Sequence, residues 1–359
     1  MKKILLFIAI ICYGIIQSQN VNIPDQIFKN KLLNHTNPVI DTNSDNEIQV
    51  SEAEAVTGII NVSASDISDV TGIEMFINMT EFSCSESKVT KIDMSSNTKL
   101  TYLEFNNAKV SSLDISNCTE LKGLSCFGNE LKSLNIQNNK KLELLYCYNN
   151  KLTELNTENN IELKIINALN NKILVVNIEN NTNLEALVLS QNLITNLDVS
   201  NNSKVYIFRT QDNPNLKTIN LKNGNNQNFT FSGDVKSNFE NLPNLETICI
   251  DDLNNTAFKS GISNQVGKSI TFTNNCSTLS NEEFSIENYV ISPNPIENIL
   301  TIKSKKEIFK IKIYNYIGKL ILEKKQERKI NISSLKKGIY LLKIFGKNGE
   351  VKIKKILKK

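Results

Sequence analysis

Histidine and tryptophan are almost absent from this sequence of 359 residues. His35 is the only histidine, and there is no tryptophan. Nucleophilic triads and metal sites built on histidine therefore cannot be assembled. Two carboxylates would suffice for acid–base hydrolysis, but Asp93, Asp114 and Asp198 recur at one position of a repeat and are expected to be solvated. We predict that the protein is not an enzyme.

Long apolar segments are also missing beyond the first residues of the chain. Lys2 and Lys3 precede the apolar run 4–16, a pattern that predicts a secretory signal peptide over residues 1–18. The run is too short for a membrane helix, and Cys12 follows a bulky residue where a lipoprotein signal needs a small one. We expect an exported protein with no transmembrane segment.

A repeat of 21 residues dominates what is present, recurring six times without gaps between Ile77 and Asn202. Such a period predicts a solenoid, in which each copy buries its apolar side only against its neighbours. In the second half of each copy, apolar residues at i and i+2, such as Leu113 and Ile115, indicate a short strand rather than a helix. The third position of every copy is apolar, with Met79, Leu100, Leu121, Leu142, Leu163 and Leu184.

Two further repeat positions predict interior columns. One carries three cysteines that should behave as small apolar residues, Cys84, Cys126 and Cys147. The other carries asparagines whose amides should bond turn backbone from coil to coil, Asn129, Asn150, Asn171 and Asn192. We expect the solenoid to span residues 56–252, with a less regular pattern after the sixth copy. A cap and linker are expected over residues 253–288.

The copies TELKGLSCFGNELKSLNIQNN and TNLEALVLSQNLITNLDVSNN resemble the leucine-rich repeat family, in particular its bacterial class of 21 residues. The resemblance covers a little over half of the chain. It implies a mainly β solenoid that serves as a binding platform. In this family the concave strand face contacts proteins or glycans.

Outward positions of the first strand in each copy are rich in aromatic and aliphatic residues, whereas those of the second strand are polar. Exposed aromatic stripes usually mark a contact surface, and they suit a sugar or a protein hot spot. The alternative is that the rings stack along the solenoid and only support the sheet. The predicted ligand-binding residues are Tyr102, Phe127, Tyr146, Tyr148 and Leu169.

A possible calcium loop precedes the repeats. Oxygen-bearing side chains stand at positions 1, 3, 5, 7, 9 and 12 of an EF-hand-like loop, namely Asp41, Asn43, Asp45, Glu47, Gln49 and Glu52. Asn46 replaces the usual glycine, and asparagine tolerates the left-handed conformation required there. The predicted role of Ca²⁺ is to brace a small helical N-terminal cap over residues 19–55. The alternative is an acidic turn that caps the following helix.

Two cysteines stand apart from the repeat columns, near the end of the solenoid. Cys249 and Cys276 could form a disulfide in an exported protein, where closing a loop around a terminal coil would add about 3 kcal/mol of stability. The alternative is two isolated core thiols. Cys118 lies in a column filled mainly by asparagine and is expected to be free.

Aspartate is absent from residues 289–359, which hold 19 Lys and Arg against 5 Glu; the preceding residues hold 22 basic and 32 acidic side chains. This contrast indicates a separate domain. Lysine alternates with isoleucine in 309–314 and 351–356, which indicates sheet strands with a lysine face rather than a nucleic-acid-binding tail. Short strands separated by turn residues predict a small β-sandwich.

Several motifs in this domain resemble the type A C-terminal sorting domain of the type IX secretion system of Bacteroidetes. They are Pro293-Asn294-Pro295, the segment I-Y-N-Y-I-G-K with Gly318, and the segment L-K-K-G-I-Y with Gly338 and Tyr340. The resemblance implies recognition by an outer-membrane translocon, frequent removal of the domain, and attachment to the cell surface or release. The alternative is an immunoglobulin-like adhesion module.

Together these features predict a secreted, surface-displayed leucine-rich repeat protein that acts as an adhesin or captures a protein or glycan ligand. The alternative is a structural component of the cell surface or biofilm without a specific ligand. The predicted fold is mainly β, with a helical calcium-loop cap, a solenoid and a C-terminal β-sandwich.

Overall fold

The computed structural model describes residues 19–64, 66–233, 236–276, 289–292, 296–304, 307–315, 320–346 and 351–359. The chain divides into two compact units, Met1–Ser280 and Asn281–Lys359. The predicted signal peptide over residues 1–18 and the linker residues 277–288 lie outside the described residues.

The first unit begins with a small cap of two helices, α1 (Gln26–Leu33) and α2 (Val50–Ala55). Asp25 starts α1 by accepting hydrogen bonds from the backbone N–H groups of Ile27 and Phe28, at 2.9 and 3.0 Å. Its other carboxylate oxygen accepts from the backbone N–H of Ser68 at 2.8 Å, which ties the cap to the first coil. Partial burial acts to raise the pKa of Asp25, but these hydrogen bonds lower it to about 2.

Short strands, two in most coils, then build the solenoid. Those of the first unit are β1 (Ile59–Asn61), β2 (Glu81–Ser83), β3 (Lys91–Asp93), β4 (Tyr102–Glu104), β5 (Ser112–Asp114), β6 (Gly123–Ser125), β7 (Leu144–Tyr146), β8 (Glu154–Asn156), β9 (Ile165–Asn167), β10 (Val175–Asn177), β11 (Ala186–Val188), β12 (Asn196–Asp198), β13 (Ile207–Arg209), β14 (Thr218–Asn220), β15 (Thr247–Cys249) and β16 (Thr271–Thr273). The predicted mainly β solenoid is confirmed.

One side of the solenoid is a continuous parallel sheet of eight strands, in the order β1-β2-β4-β6-β7-β9-β11-β13, which we call the first sheet. Consecutive coils pair in register, so that Leu145 lies beside Leu124 and Ile166. Residues at the same repeat position therefore form straight columns across the sheet. The side chains at the middle of each strand point inward and are buried.

The opposite side is broken into separate parallel sheets, β3-β5, β8-β10 and β12-β14-β15-β16. The prediction of a second strand in every coil is wrong for residues 133–135, which form no strand between β5 and β8. Leu134 still packs against the core there, so the apolar pattern is kept without the ladder. Burial of that side chain does not require backbone pairing.

The asparagine column stabilises the turns, as predicted. In Asn150, the side-chain N–H group donates to the carbonyl of Cys126 at 2.9 Å, one coil back, and the side-chain oxygen accepts from Leu131 N–H at 3.0 Å. The asparagine column that contains Cys118 is also buried, and there Asn160 donates to the carbonyls of Ile136 and Asn139. Both columns satisfy backbone groups where the chain bends away from the sheets.

A third repeat position adopts the left-handed backbone conformation in successive coils. It directly precedes the asparagine column that contains Asn150. Its members have φ between 52° and 68° and include Glu86, Asn107, Gly128, Asn149, Asn170, Gln191 and Asp212. Asparagine and glycine tolerate this conformation better than other residues. The first asparagine of pairs such as Asn149-Asn150 is thus explained by backbone shape.

The end of the solenoid is closed by α3 (Thr256–Val266) and β16. Short 3₁₀ helices also occur at Ile73–Met75 and Asn226–Asn228. Aromatic rings fill the space under α3, where Phe229 and Phe258 meet edge to face with centroids 5.6 Å apart. A disulfide joins Cys249, in β15, to Cys276 beyond β16.

The second unit contains two antiparallel sheets, β17-β18-β21 and β20-β19-β22-β23. Its strands are β17 (Tyr289–Ser292), β18 (Ile299–Ser304), β19 (Ile308–Asn315), β20 (Leu320–Lys325), β21 (Lys329–Asn331), β22 (Gly338–Gly346) and β23 (Val351–Lys358). Their core is almost entirely aliphatic, with Ile296, Leu300, Ile302, Ile311, Ile313, Ile330, Leu342, Ile344 and Ile356 buried. The antiparallel sheets of the predicted sandwich are confirmed.

The predicted lysine face is present in β19, where Lys310 and Lys312 alternate with buried isoleucines. The Nζ atom of Lys310 lies 4.9 Å from the centre of the Phe345 ring. In β23, however, the register pairs Lys354 with the buried Leu342, on the core side of the sheet. Because Lys354 and Lys355 are consecutive residues, the lysines of β23 do not all lie on one side of the sheet.

Candidate binding face

The outward surface of the first sheet is the part of the molecule that combines a regular backbone with a run of apolar side chains. Its outward positions on the central coils carry half-buried residues in three neighbouring columns, namely Tyr102, Leu144 and Ile165; Tyr146 and Val188; and Phe127, Tyr148 and Leu169. We call this surface the first-sheet face. All five residues predicted to bind a ligand lie on it.

Phe127 and Tyr148 occupy the same position on consecutive coils, just beyond β6 and β7. Their rings are stacked, with centroids 4.2 Å apart and an angle of 8° between the planes. Burial raises the pKa of the Tyr148 hydroxyl. The rings therefore support one another along the solenoid while their edges remain accessible, so the two alternatives for this stripe are not mutually exclusive.

Tyr102 lies against Gly123, the outward residue of the next coil in the same column. A Cβ atom on Gly123 would lie 2.3 Å from Cδ2 of Tyr102, so the ring occupies the space that a side chain there would fill. Burial and the neighbouring Glu104 carboxylate raise the pKa of Tyr102. Gly123 was not among the predicted site residues, although it is the one glycine at a strand position of the repeats.

Charged residues line the flanks of the first-sheet face and pair between coils. The Nζ atom of Lys164 lies 2.6 Å from Glu143, and Lys151 pairs with Glu130. These pairs are exposed and contribute little to stability. By contrast, no described lysine or arginine pairs with Glu81 or Glu104 at the N-terminal end of the face.

The opposite side of the solenoid differs in chemistry. Its outward residues in β5 and β8 are exposed and polar, Ser112 and Asp114 in one strand and Glu154 and Asn156 in the other. Asparagines at its turns bond the preceding coil, as Asn138 does with the carbonyl of Ser116. The apolar exceptions on this side are Leu174 and Val175 at the start of β10, which are exposed, and Val175 lies beside the polar Glu154.

The free cysteines of the described chain are buried inside the solenoid: Cys84, Cys118, Cys126 and Cys147. Burial raises the pKa of the Cys84 and Cys147 thiols to about 12. Since the thiolate is the reactive species, these cysteines are inert at neutral pH. They serve as small core residues, as the repeat pattern indicates.

The EF-hand-like loop is held by its own side chains. Asp41 accepts hydrogen bonds from the backbone N–H groups of Asp45 and Asn46, at 3.2 and 3.1 Å. Asp45 accepts from the N–H of Glu47 at 2.9 Å, which lowers its pKa. Ser44 and Asn46 adopt the left-handed conformation, so the expected turn forms without glycine.

Glu47 and Glu52, two other predicted ligands of this loop, have partners of their own. The Glu47 carboxylate pairs with Lys29 at 2.7 Å. Glu52 accepts from Thr42 N–H at 2.8 Å and from Gln49 N–H at 3.1 Å, and forms the capping box of α2. Carboxylate and amide oxygens suit Ca²⁺, and three of the side chains lie together, since Asn43 Nδ2 donates to Asp45 at 3.0 Å and to Gln49 Oε1 at 2.9 Å, and Gln49 Nε2 donates to Asp45 at 3.0 Å. Within the described ranges no three His, Cys, Asp or Glu side chains form a group that could hold a metal ion.

In the second unit, the described sorting-motif residues have structural roles. The Tyr340 hydroxyl donates to the carbonyl of Lys336 at 2.9 Å and fixes the entry to β22. Gly338, the first residue of that strand, has φ of 150°, which favours glycine. Pro293, Asn294, Pro295 and Gly318 lie outside the described residues.

No helix among the described residues has both the length and the apolar character needed to cross a membrane.

Comparison with known proteins identifies the second unit. Residues 290–359 match the family described as secretion system C-terminal sorting domain. This confirms the predicted type IX sorting domain, which implies export and placement at the cell surface or outside the cell. No curated protein matches the chain by sequence.

Solved structures similar to the chain come from several bacterial proteins. An internalin of Listeria monocytogenes is 19% identical, with a TM-score of 0.46 over 72% of this chain and 77% of that one. An internalin C2 of the same species is 17% identical, with a TM-score of 0.45 over 72% of this chain and 99% of that one. A leucine-rich repeat protein of Leptospira interrogans is 21% identical, with a TM-score of 0.44 over 63% of this chain and 56% of that one.

Proposed function

We propose that this protein is an exported, non-catalytic binding module that displays its solenoid at the cell surface or in the medium and captures a ligand on the first-sheet face. The C-terminal sorting domain supplies the route of export. The solenoid is the working part.

The observation that carries this proposal is the difference between the two sides of the solenoid. On the first sheet, Tyr146, Tyr148 and Leu169 are half-buried on adjacent coils of a regular parallel ladder. On the other side, exposed positions such as Glu154 and Asn156 are polar. A contiguous apolar patch on an otherwise polar surface typically marks an interaction site, and a rigid sheet lowers the entropic cost of binding.

A competition experiment tests this proposal. Labelled full-length protein is titrated onto glycan and peptide arrays and onto cells of the producing bacterium. We expect saturable binding that unlabelled wild-type protein displaces and that the double variant Phe127→Ser, Tyr148→Ser does not. The matched control is Glu154→Ser with Asn156→Ser on the opposite side, which should compete like the wild type.

The same experiment distinguishes the alternative of a structural surface component. If no probe gives saturable binding, and the protein instead associates with itself as its concentration rises, the module has no specific ligand. Equal competition by the Phe127→Ser, Tyr148→Ser variant and by wild-type protein would show that another surface is used. Circular dichroism of each variant establishes that the fold is retained.

A further inference from the structure

The geometry of the stacked rings restricts which ligand the first-sheet face can take. Because the rings of Phe127 and Tyr148 are stacked, each ring covers one face of the other. Asn106 and Leu169 hold the equivalent positions on the coils to either side, so the rings belong to a continuous column whose spacing is about 4.8 Å. Ring edges, not ring faces, therefore point away from the sheet. Stacking of a flat sugar needs an open ring face, whereas aliphatic and aromatic side chains pack well against edges.

Several serine, asparagine and glutamine side chains on the face are already bonded to neighbouring side chains. The Ser125 hydroxyl donates to Asn106 Oδ1 at 2.8 Å, and Asn106 Nδ2 donates to Glu104 at 2.6 Å. Ser190 donates to Gln211 at 2.5 Å. Recognition of sugar hydroxyls requires donors and acceptors that are available, so this pairing favours an apolar contact.

Negative charge on the face lies at its N-terminal end, whereas the cationic Arg209 lies in the last strand of the sheet, beside Val188. Glu81 lies directly beside Tyr102 in the sheet register, and Glu104 follows two residues later on the same strand and the same side. Neither carboxylate has an ion-pair partner among the described lysines and arginines, while Glu143 pairs with Lys164 and Glu130 with Lys151 beside the central coils. This end of the face is complementary to a cation.

The net charge of the chain before the C-terminal domain also favours a basic partner. Residues 1–288 hold 22 basic and 32 acidic side chains. Two copies of this part of the chain would repel each other at low ionic strength, which disfavours the solenoid of a second copy as the occupant. A basic partner is attracted.

Resting on the function proposed above, we infer that the ligand is a protein segment that packs apolar side chains against Tyr146, Tyr148 and Leu169 and places a lysine or arginine beside Glu81, Tyr102 and Glu104. The apolar contact supplies most of the affinity. The carboxylates supply preference among partners and speed association.

Selection from random 12-residue peptides displayed on phage tests this inference, with the full-length protein as bait. Peptides recovered on wild-type protein and lost on the Phe127→Ser, Tyr148→Ser variant should be enriched in apolar residues and in Lys or Arg, relative to the starting library. Glu81→Gln with Glu104→Gln should weaken the best synthetic peptide about fivefold, and added salt should have a similar effect. The matched control, Glu154→Gln on the opposite side, should leave its affinity unchanged.

The possible results separate a failure of the inferred partner from a failure of the proposed binding function. Saturable binding of a glycan that the Phe127→Ser, Tyr148→Ser variant loses would uphold the binding function and overturn the inference of a protein partner. Peptides rich in Asp or Glu, or affinities indifferent to both glutamate substitutions, would overturn the basic partner. Absence of any ligand on peptide and glycan probes alike would contradict both proposals.

Discussion

Phe127 and Tyr148 lie 21 residues apart in the sequence and stack with their ring centres 4.2 Å apart. The stack exists because consecutive coils pair in register, which brings equivalent side chains to the separation of neighbouring strands. It links the solenoid's stability to the proposed binding face, since the same rings stabilise the sheet and form the contact surface.

A double-mutant cycle should detect the stack directly. Phe127→Leu and Tyr148→Leu should show a coupling of about 0.5–1.5 kcal/mol in the free energy of unfolding, because either substitution alone removes the ring–ring contact. Urea denaturation of the four proteins provides the measurement. Phe127→Leu combined with Tyr102→Leu is the control pair, for which additive effects are expected. Additivity in the first pair as well would contradict the stacked arrangement.

Gly123 is expected to tolerate no side chain while Tyr102 is present. In Gly123→Ala the new Cβ would lie 2.3 Å from the ring, and relieving such a clash typically costs about 1–3 kcal/mol. Tyr102→Ser in the same chain should recover most of that loss.

The control for this substitution is Gly58→Ala, whose Cβ would meet Pro38 at an ordinary distance of 3.6 Å. Its melting temperature should stay close to that of the wild type. A neutral Gly123→Ala would show that the ring of Tyr102 lies elsewhere.

Asparagines of the buried column that contains Asn150 should contribute far more to the free energy of unfolding than exposed asparagines such as Asn138. Asn150→Ala removes the partners of the Cys126 carbonyl and the Leu131 N–H, and we expect a loss of about 2–4 kcal/mol because each buried backbone group left unpaired costs about 1–3 kcal/mol. Asn138→Ala, which removes only an exposed bond to Ser116, should cost less than about 0.5 kcal/mol. Similar losses for the two variants in chemical denaturation would refute a structural role of the inner column.

For the EF-hand-like loop we propose that Ca²⁺ binds and braces the N-terminal cap. Calcium at about 100 times its dissociation constant would then add about 2.7 kcal/mol to the free energy of unfolding, and chelator should reverse the accompanying rise in melting temperature. Asp45→Ala should abolish the response, whereas Glu54→Ala, outside the loop, should retain it. An unchanged melting temperature in calcium and in chelator would leave the acidic, helix-capping turn as the only role of the loop.

Much of the fold could be predicted from the sequence, because a strict repeat makes each position report the same environment several times. The buried columns at Leu142 and Leu145 and the ladder at Asn150 follow from this redundancy. Other features depend on contacts that no repeat encodes. The side chain of Glu52 could bind a metal or cap α2 with similar local sequence, and the absence of a strand at residues 133–135 has no signature in the pattern.

The site was predictable in position but not in geometry. Alternation along each strand places Tyr102, Tyr146 and Tyr148 on the outward side, which the sequence alone establishes. Whether a ring presents its face or its edge depends on side-chain packing between coils, so the stacking of Phe127 on Tyr148 and the contact of Tyr102 with Gly123 emerge only in three dimensions. The stacking of Phe127 on Tyr148 is what favours a protein over a glycan.

The proposed function requires that the C-terminal domain deliver the solenoid outside the cell. Intact mass spectrometry of the native protein from surface, medium and periplasmic fractions tests this most directly. We predict a surface or medium species that has lost the signal peptide and the region beyond about residue 289, as the sorting domain implies. Full-length protein confined to the periplasm would contradict the account.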